Sequence, residues 1–484
     1  MIAGRVAVVS ALGLISSGLI LPALRYRHAV TNRRQFASLG LAAATTAIGG
    51  GPTPRSDTEV ATEISARVVS SAVNNQEWVL VDTRTTDAYN GWKLDGVKRG
   101  GHLPGAVDFP ASWLDSDHDA RAEILSTALR VKGIEPQRRI LLYGTNKRDR
   151  NRVAAYLRGA GFPHLYDFDL NSWADDPTKP LVRYENFHLL VPPSIVKQLL
   201  DGHWPETFEP GKPTKFVEVS WGGEDVSYSK GHVPRSFHVN TDHFEPPPEW
   251  MLGNADVLGR FAKQYGFQAD DTIIVSGEDP TASYRLAIVL RYMGVRDIRV
   301  LNGGFAAWKA AKYRVETKRN PPPIASSFGT PIPSRAHLID DITRVKTGLR
   351  TPAEFTLVDT RTWAEFTGET SGYKYHSRKG RIPGSLFGQA DFKGPNSLTP
   401  YRNIDNTMRN AGEIRGLWKE SGIDTEKHLS FMCGSGWRAA EVLTFAQVMG
   451  LSNTSLYSDG WIRWSNDPRN PVESGRVTAA TDNR

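Results

Sequence analysis

The chain has 484 residues, enough for two to four domains of ordinary size. Apolar residues at 39%, aromatic at 10% and charged at 23% describe a globular protein able to bury real cores, and exclude a wholly disordered or collagen-like chain. The net charge of +7 invites nucleic acid, but Arg5, Arg25, Arg27, Arg33, Arg34 and Arg55 supply all but one unit of it, in a segment without Asp, Glu or Lys. The rest of the chain carries no basic footprint, so nucleic-acid binding falls away.

Residues 1–55 read as an export leader. Val6 to Leu24 is an uncharged run long enough to span a bilayer, and it equally reads as an over-extended start upstream of the true one. Residues 31–50 have the layout of an export signal: basic residues, a mild apolar stretch, then small residues before a cut near Ala47-Ile48-Gly49. Thr31-Asn32-Arg33-Arg34-Gln35-Phe36 resembles the twin-arginine signal, whose arginine pair is read by a receptor. The expected partner is therefore twin-arginine export machinery. The expected location is periplasmic or otherwise extracytoplasmic, with the 6–24 run as a membrane tether if it is retained. With no cysteine in the leader, lipoprotein anchoring is excluded.

Beyond residue 56 one unit occurs three times. Trp78-Val79-Leu80 leads into Val81-Asp82-Thr83-Arg84, and Phe355-Thr356-Leu357 into Val358-Asp359-Thr360-Arg361. Lys215 to Ser220 is a degraded copy of the same strand. A glycine turn follows in each: Gly101-His102-Leu103-Pro104-Gly105, Gly231-His232-Val233-Pro234-Arg235 and Gly380-Arg381-Ile382-Pro383-Gly384. Next come a short apolar strand (Ile140 to Tyr143, Ile273 to Ser276, Leu429 to Met432), a loop and a helix. The loops open on Gly144, Gly277 and Cys433, and a glycine stands seventeen residues beyond each, at Gly161, Gly294 and Gly450. Trp173, Trp308 and Trp464 close the copies. Strands alternating with helices predict parallel α/β units. Pro-rich joints near Val191-Pro192-Pro193 and Asn320 to Pro323 divide the chain into domains over 56–187, 188–318 and 335–476. The Asp and Arg of each Val-Asp-Thr-Arg, the turn glycines and the tryptophans are expected to keep the fold rather than do chemistry.

Chemistry concentrates at Cys433. Cys433-Gly434-Ser435-Gly436-Trp437-Arg438 follows a strand and precedes the helical run Ala439 to Met449. Two glycines let backbone N–H groups turn inward at a helix N-terminus, forming an anion cradle that favours a thiolate nucleophile. The same amides and Arg438 are expected to hold the outer sulfur of a persulfide or an incoming oxyanion. The one cysteine excludes an intramolecular disulfide and any multi-cysteine zinc or iron–sulfur site, and no metal or cofactor is expected.

These strands, glycine turns and cysteine loop resemble the rhodanese family of sulfurtransferases over nearly the whole chain after the leader. The resemblance implies an α/β fold of three tandem domains, each a five-stranded parallel sheet flanked by helices. It also implies catalysis through a cysteine persulfide. Cysteine phosphatases of similar fold place an Arg six positions after the Cys. Here Arg438 is at five and Ala439 at six, a narrower cradle that suits sulfur better than a phosphoryl group. The first two loops, Gly144-Thr145-Asn146-Lys147-Arg148-Asp149 and Gly277-Glu278-Asp279-Pro280-Thr281-Ala282, have no cysteine and carry acids. Domains 1 and 2 are therefore expected to be inactive scaffolds, or walls of the cleft in domain 3.

The loop starts neutral, like family members specialised for mercaptopyruvate, but ends Trp437-Arg438, unlike them. Arg378, Lys379 and Arg381 are placed as added positive charge near the cleft, with Arg381 a further substrate-binding candidate standing where the other copies have His102 and His232. The expected reaction is transfer of a sulfane sulfur from a small-molecule donor, thiosulfate, to a thiol or cyanide acceptor. The alternatives are a mercaptopyruvate-type enzyme, or a relay that hands sulfur to a protein acceptor with little small-molecule turnover.

Overall fold

The computed structural model describes residues 60–115, 121–390 and 398–476. The leader, with its 6–24 run and the 31–50 signal, lies outside the described residues. Among the described residues no helix is long and apolar enough to cross a membrane.

Three parallel five-stranded sheets follow one another along the chain. The first holds β1 (Thr62–Glu63), β2 (Trp78–Asp82), β3 (Val107–Asp108), β4 (Arg139–Gly144) and β5 (Leu165–Asp169). The second holds β6 (Leu190–Val191), β7 (Thr214–Ser220), β8 (Phe237–Asn240), β9 (Thr272–Ser276) and β10 (Asp297–Leu301). The third holds β11 (Ile339–Asp340), β12 (Phe355–Asp359), β13 (Leu386–Phe387), β14 (His428–Met432) and β15 (Thr454–Tyr457). Each has the same order, β11-β15-β14-β12-β13 in the third. The middle strands are apolar on both faces because helices cover both, as parallel sheets require. Strand order reverses between β12 and β14, and the crevice beyond the carboxyl ends of two such strands is where open α/β sheets bind ligands. Met432 pairs in register with Asp359, so the next residue, Cys433, opens into that crevice.

The repeated residues keep the fold. Arg84 forks onto Asp82 and donates to the Gly101 carbonyl, and Arg361 does the same with Asp359 and Gly380. In the degraded copy Glu218 takes the Ser276 hydroxyl at 3.2 Å, and among the described residues no arginine pairs with it. Burial pushes its carboxyl up to about 8. The tryptophans share one task, each indole N–H closing on a carbonyl beyond its helix: Trp173 on Pro180, Trp308 on Arg314 and Trp464 on Pro471.

The helices after the three loops differ in a way that arranges the domains. Lys147–Gly159 buries a single stripe, whereas Pro280–Met293 and Trp437–Val448 are buried on nearly every side. A helix apolar all round must be enclosed by protein. These two pack on each other, with Tyr284 edge-on to Phe445 at 5.4 Å. Full burial of each such aromatic contributes roughly 1.5–3 kcal/mol. Domain 2 is thereby fixed against the Cys433 helix, and the described residues form one compact unit.

Candidate active site

Cys433 is 2% exposed, at the turn from β14 into the Trp437–Val448 helix. The Gly436 N–H points at its Sγ from 3.2 Å. The loop carbonyls are drawn away from the sulfur: Cys433 O accepts from the Trp461 N–H and Gly434 O from Ile462. Gly460, whose φ is +54°, permits this approach, since a Cβ there would lie 2.4 Å from the Cys433 carbonyl. Carbonyls tied behind the loop and an amide turned toward the sulfur make the anion cradle expected at a helix N-terminus.

Arg438 is buried. Its Nη1 and Nη2 donate to the two oxygens of Glu365 at 2.8 and 2.9 Å, and Nη2 also donates to the Tyr373 hydroxyl at 2.7 Å. Burial alone would push the Glu365 carboxyl up. The Arg438 charge and hydrogen bonds, with Arg361 and the Thr362 N–H behind them, outweigh it and bring the group down to about 2. Glu365 is also the acid of a capping box with Thr362, opening the Trp363–Thr367 helix. The expected donor-holding arginine is therefore engaged through both Nη atoms with protein groups. The Tyr373 hydroxyl stands over Gly434, where a Cβ would meet it at 1.8 Å.

Ser435 and Trp437 are half-buried at the loop's mouth, and Gly434 and Gly436 lie beneath. Arg381 is placed elsewhere. Its backbone bridges Glu473, its guanidinium donates to the Gly475 carbonyl at 2.8 Å and faces the Glu473 carboxylate at 3.3 Å, and it lies over Phe366. His102 and His232 hold the same seam, bridging Val182 and Glu316 and stacking on Tyr89 and Tyr228. Arg on Phe replaces His on Tyr, which accounts for the departure at this position by fold rather than by substrate.

Sequence reading missed Glu365 and Tyr373, and although it allowed domains 1 and 2 to wall the cleft, it named none of the residues that do so. Thr362-x-x-Glu365 is a legible capping signature, and a buried arginine needs a carboxylate. No local signal reports which residues of domain 2 form the wall. Trp250 of domain 2 lies 5.9 Å from Tyr375, which lies 5.6 Å from Tyr373, and Trp221 meets Trp250 edge-on. Both indoles donate to Asp242.

The Rhodanese-like domain model matches residues 65–176, 208–311 and 342–467. The chain belongs to the rhodanese family. It is 33% identical over 417 residues to the thiosulfate sulfurtransferase YnjE of Escherichia coli, covering 86% of this chain and 93% of that one. Two solved structures each match with a TM-score of 0.81 and 32% identity, over 86% of this chain and 100% of theirs. One is EanB with a cysteine persulfide, in a tetrahedral intermediate state with ergothioneine. The other is the anaerobic ergothioneine biosynthesis enzyme from Chlorobium limicola with its natural substrate, trimethyl histidine. This rhodanese-family sulfurtransferase thus carries three rhodanese-like domains, and its one cysteine is in the third.

Proposed function

We propose that the protein transfers a sulfane sulfur from thiosulfate to a thiol or cyanide through a persulfide on Cys433. The observation that carries this reading is the Gly436 N–H aimed at Sγ in a loop whose carbonyls are tied away from it. The Cys433 thiolate attacks the outer sulfur of thiosulfate, the sulfur–sulfur bond breaks, and sulfite leaves with the bonding pair. The acceptor, as thiolate or cyanide, then attacks the terminal sulfur and restores the Cys433 thiolate. Tyr373 accepts from Arg438, so its own proton is free to donate beside Gly434, where the terminal sulfur forms. Thiosulfate as donor is supported by the likeness to YnjE and by an export leader that would place the enzyme where thiosulfate is met.

Steady-state turnover of thiosulfate and of mercaptopyruvate, each with cyanide and with a thiol, tests this. Thiosulfate turnover that Cys433→Ala abolishes supports the reading. Preference for mercaptopyruvate replaces the donor, and a sulfur adduct without turnover on either donor makes the protein a relay.

A second reading concerns the acceptor. The Trp221–Trp250–Tyr375 wall, with Asp242 beneath it, suits a cationic or aromatic acceptor by ring stacking and cation–π attraction. Trp221 and Tyr375 are both 60% exposed, unusual for such side chains. This favours an imidazole betaine of the kind bound by the Chlorobium limicola enzyme. Sulfur transfer to trimethyl histidine, lost in Trp250→Ala while cyanide turnover survives, would establish it.

A further inference from the structure

Each helix that follows a loop carries, eight residues after the loop start, one half of an ion pair with the segment beyond the third strand of its sheet. The pairs are Arg152–Asp115, Arg285–Glu245 and Arg402–Glu441. In domain 3 the signs are exchanged. Because the second and third helices pack together, each of these two pairs faces the other domain's loop. Arg402 of domain 3 feels Asp279 of the second loop, and Glu245 of domain 2 reaches the Cys433 loop.

We propose that domain 2, which has no cysteine, supplies the positioning residue of the catalytic loop, Glu245, acting through Trp437. Glu245 is 1% exposed and its two oxygens are divided between the domains. Oε2 accepts the Trp437 indole N–H at 2.7 Å, and Oε1 accepts from Arg285 Nε at 2.7 Å. Trp437 is the residue after Gly436, so holding its ring restrains the chain immediately beyond the Ser435–Gly436 peptide, whose N–H meets Cys433 Sγ. Arg285 completes the grip from behind. Its Nη2 donates to the Ser458 hydroxyl at 2.7 Å, two residues before the Gly460 turn that lets the next residues hold the loop carbonyls. Its buried Nη1 has no hydrogen-bond partner among the described residues and lies against Gly436, where a Cβ would come within 2.7 Å. Gly436 has φ +92°, so conformation and this approach both require glycine.

The inference rests on Cys433 being the sulfur-carrying thiol. A double-mutant cycle in the full-length protein tests it, with Trp437→Phe and Glu245→Gln alone and together. Trp437→Phe removes only the indole donor and leaves the Glu245–Arg285 pair intact, so it reports on the contact even if Glu245→Gln folds poorly. Each single variant should lower kcat by about 10-fold with KM little changed, because misplacement of a reacting group acts on the chemical step. Each should slow alkylation of Cys433 by iodoacetamide, a readout that a merely structural contact leaves alone. The double variant should be no worse than the worse single one. Additive losses, or unchanged kcat and alkylation in Trp437→Phe, would overturn the proposal. Cys433→Ala, run beside them, separates the two failures: if it keeps activity the persulfide reading falls, and if it is dead while Trp437→Phe is normal only the role of Glu245 falls.

Discussion

Glu365 and Arg438, 73 residues apart, meet in a two-pronged ion pair almost wholly shut from water. The geometry ties the helix carrying the cysteine loop to the helix that β12 feeds. Breaking a buried pair by removing one partner costs about 3–5 kcal/mol, because the other charge is left stranded. Arg438→Ala should therefore lower Tm markedly and reduce kcat/KM for thiosulfate and mercaptopyruvate alike. Lysine cannot supply the planar fork, so Arg438→Lys should recover little. An unchanged Tm with a loss confined to thiosulfate would instead make Arg438 a direct donor contact.

Two carboxyls give stability opposite pH dependences. Glu218 is pushed up to about 8 by burial, so the stability it contributes is present in acid and is lost as pH rises through about 8. Glu365 lies at about 2, so its contribution is present above the ordinary carboxylate range and is lost as pH falls toward about 2. Glu218→Gln should remove part of the alkaline loss while leaving the acid limb alone. Urea midpoints of both proteins at about pH 6 and about pH 9 check this, and parallel shifts in the two would contradict it.

Gly434→Ala probes the space above the sulfur. The added Cβ collides with Tyr373 and must displace the ring or the loop. An activity loss of about 10-fold or more is expected, with a small change in Tm because the site is a loop. Wild-type kcat/KM in this variant would show that Tyr373 does not stand over the loop in solution.

Much of this architecture is legible in one sequence because it is local and repeated. Val-Asp-Thr-Arg, the glycine turns and the closing tryptophans each make their key bonds within their own copy, so periodicity alone exposes them. Cys433 is equally legible, since a strand, two glycines and a helix surround it. What could not be read is partnership across distance. Glu365 sits in a visible capping motif, yet nothing local pairs it with Arg438. Glu245 lies 192 residues from Trp437, in a domain whose lost cysteine suggests a scaffold or a cleft wall and singles out no residue. Arg381 shows the converse: a basic residue near the motif is naturally assigned to substrate, while its partners are the fold's own closing seam.

The leader yields a separate test. If a twin-arginine receptor reads Arg33 and Arg34, replacing both by Lys should hold the precursor in the cytoplasm, because lysine keeps the charge but not the guanidinium pair. Immunoblots of fractionated cells follow this directly. Undiminished export would assign the leader to the general secretory route or to the 6–24 run.

In the proposed cycle the transferred sulfur rides on Cys433. The chain has no other cysteine, so intact-mass measurement of protein treated with thiosulfate and then desalted has one thiol to report on. The expected result is a gain of the mass of one sulfur atom, removed by cyanide and absent from Cys433→Ala. A wild-type mass unchanged by thiosulfate while sulfur transfer proceeds, or the same gain in Cys433→Ala, would contradict it.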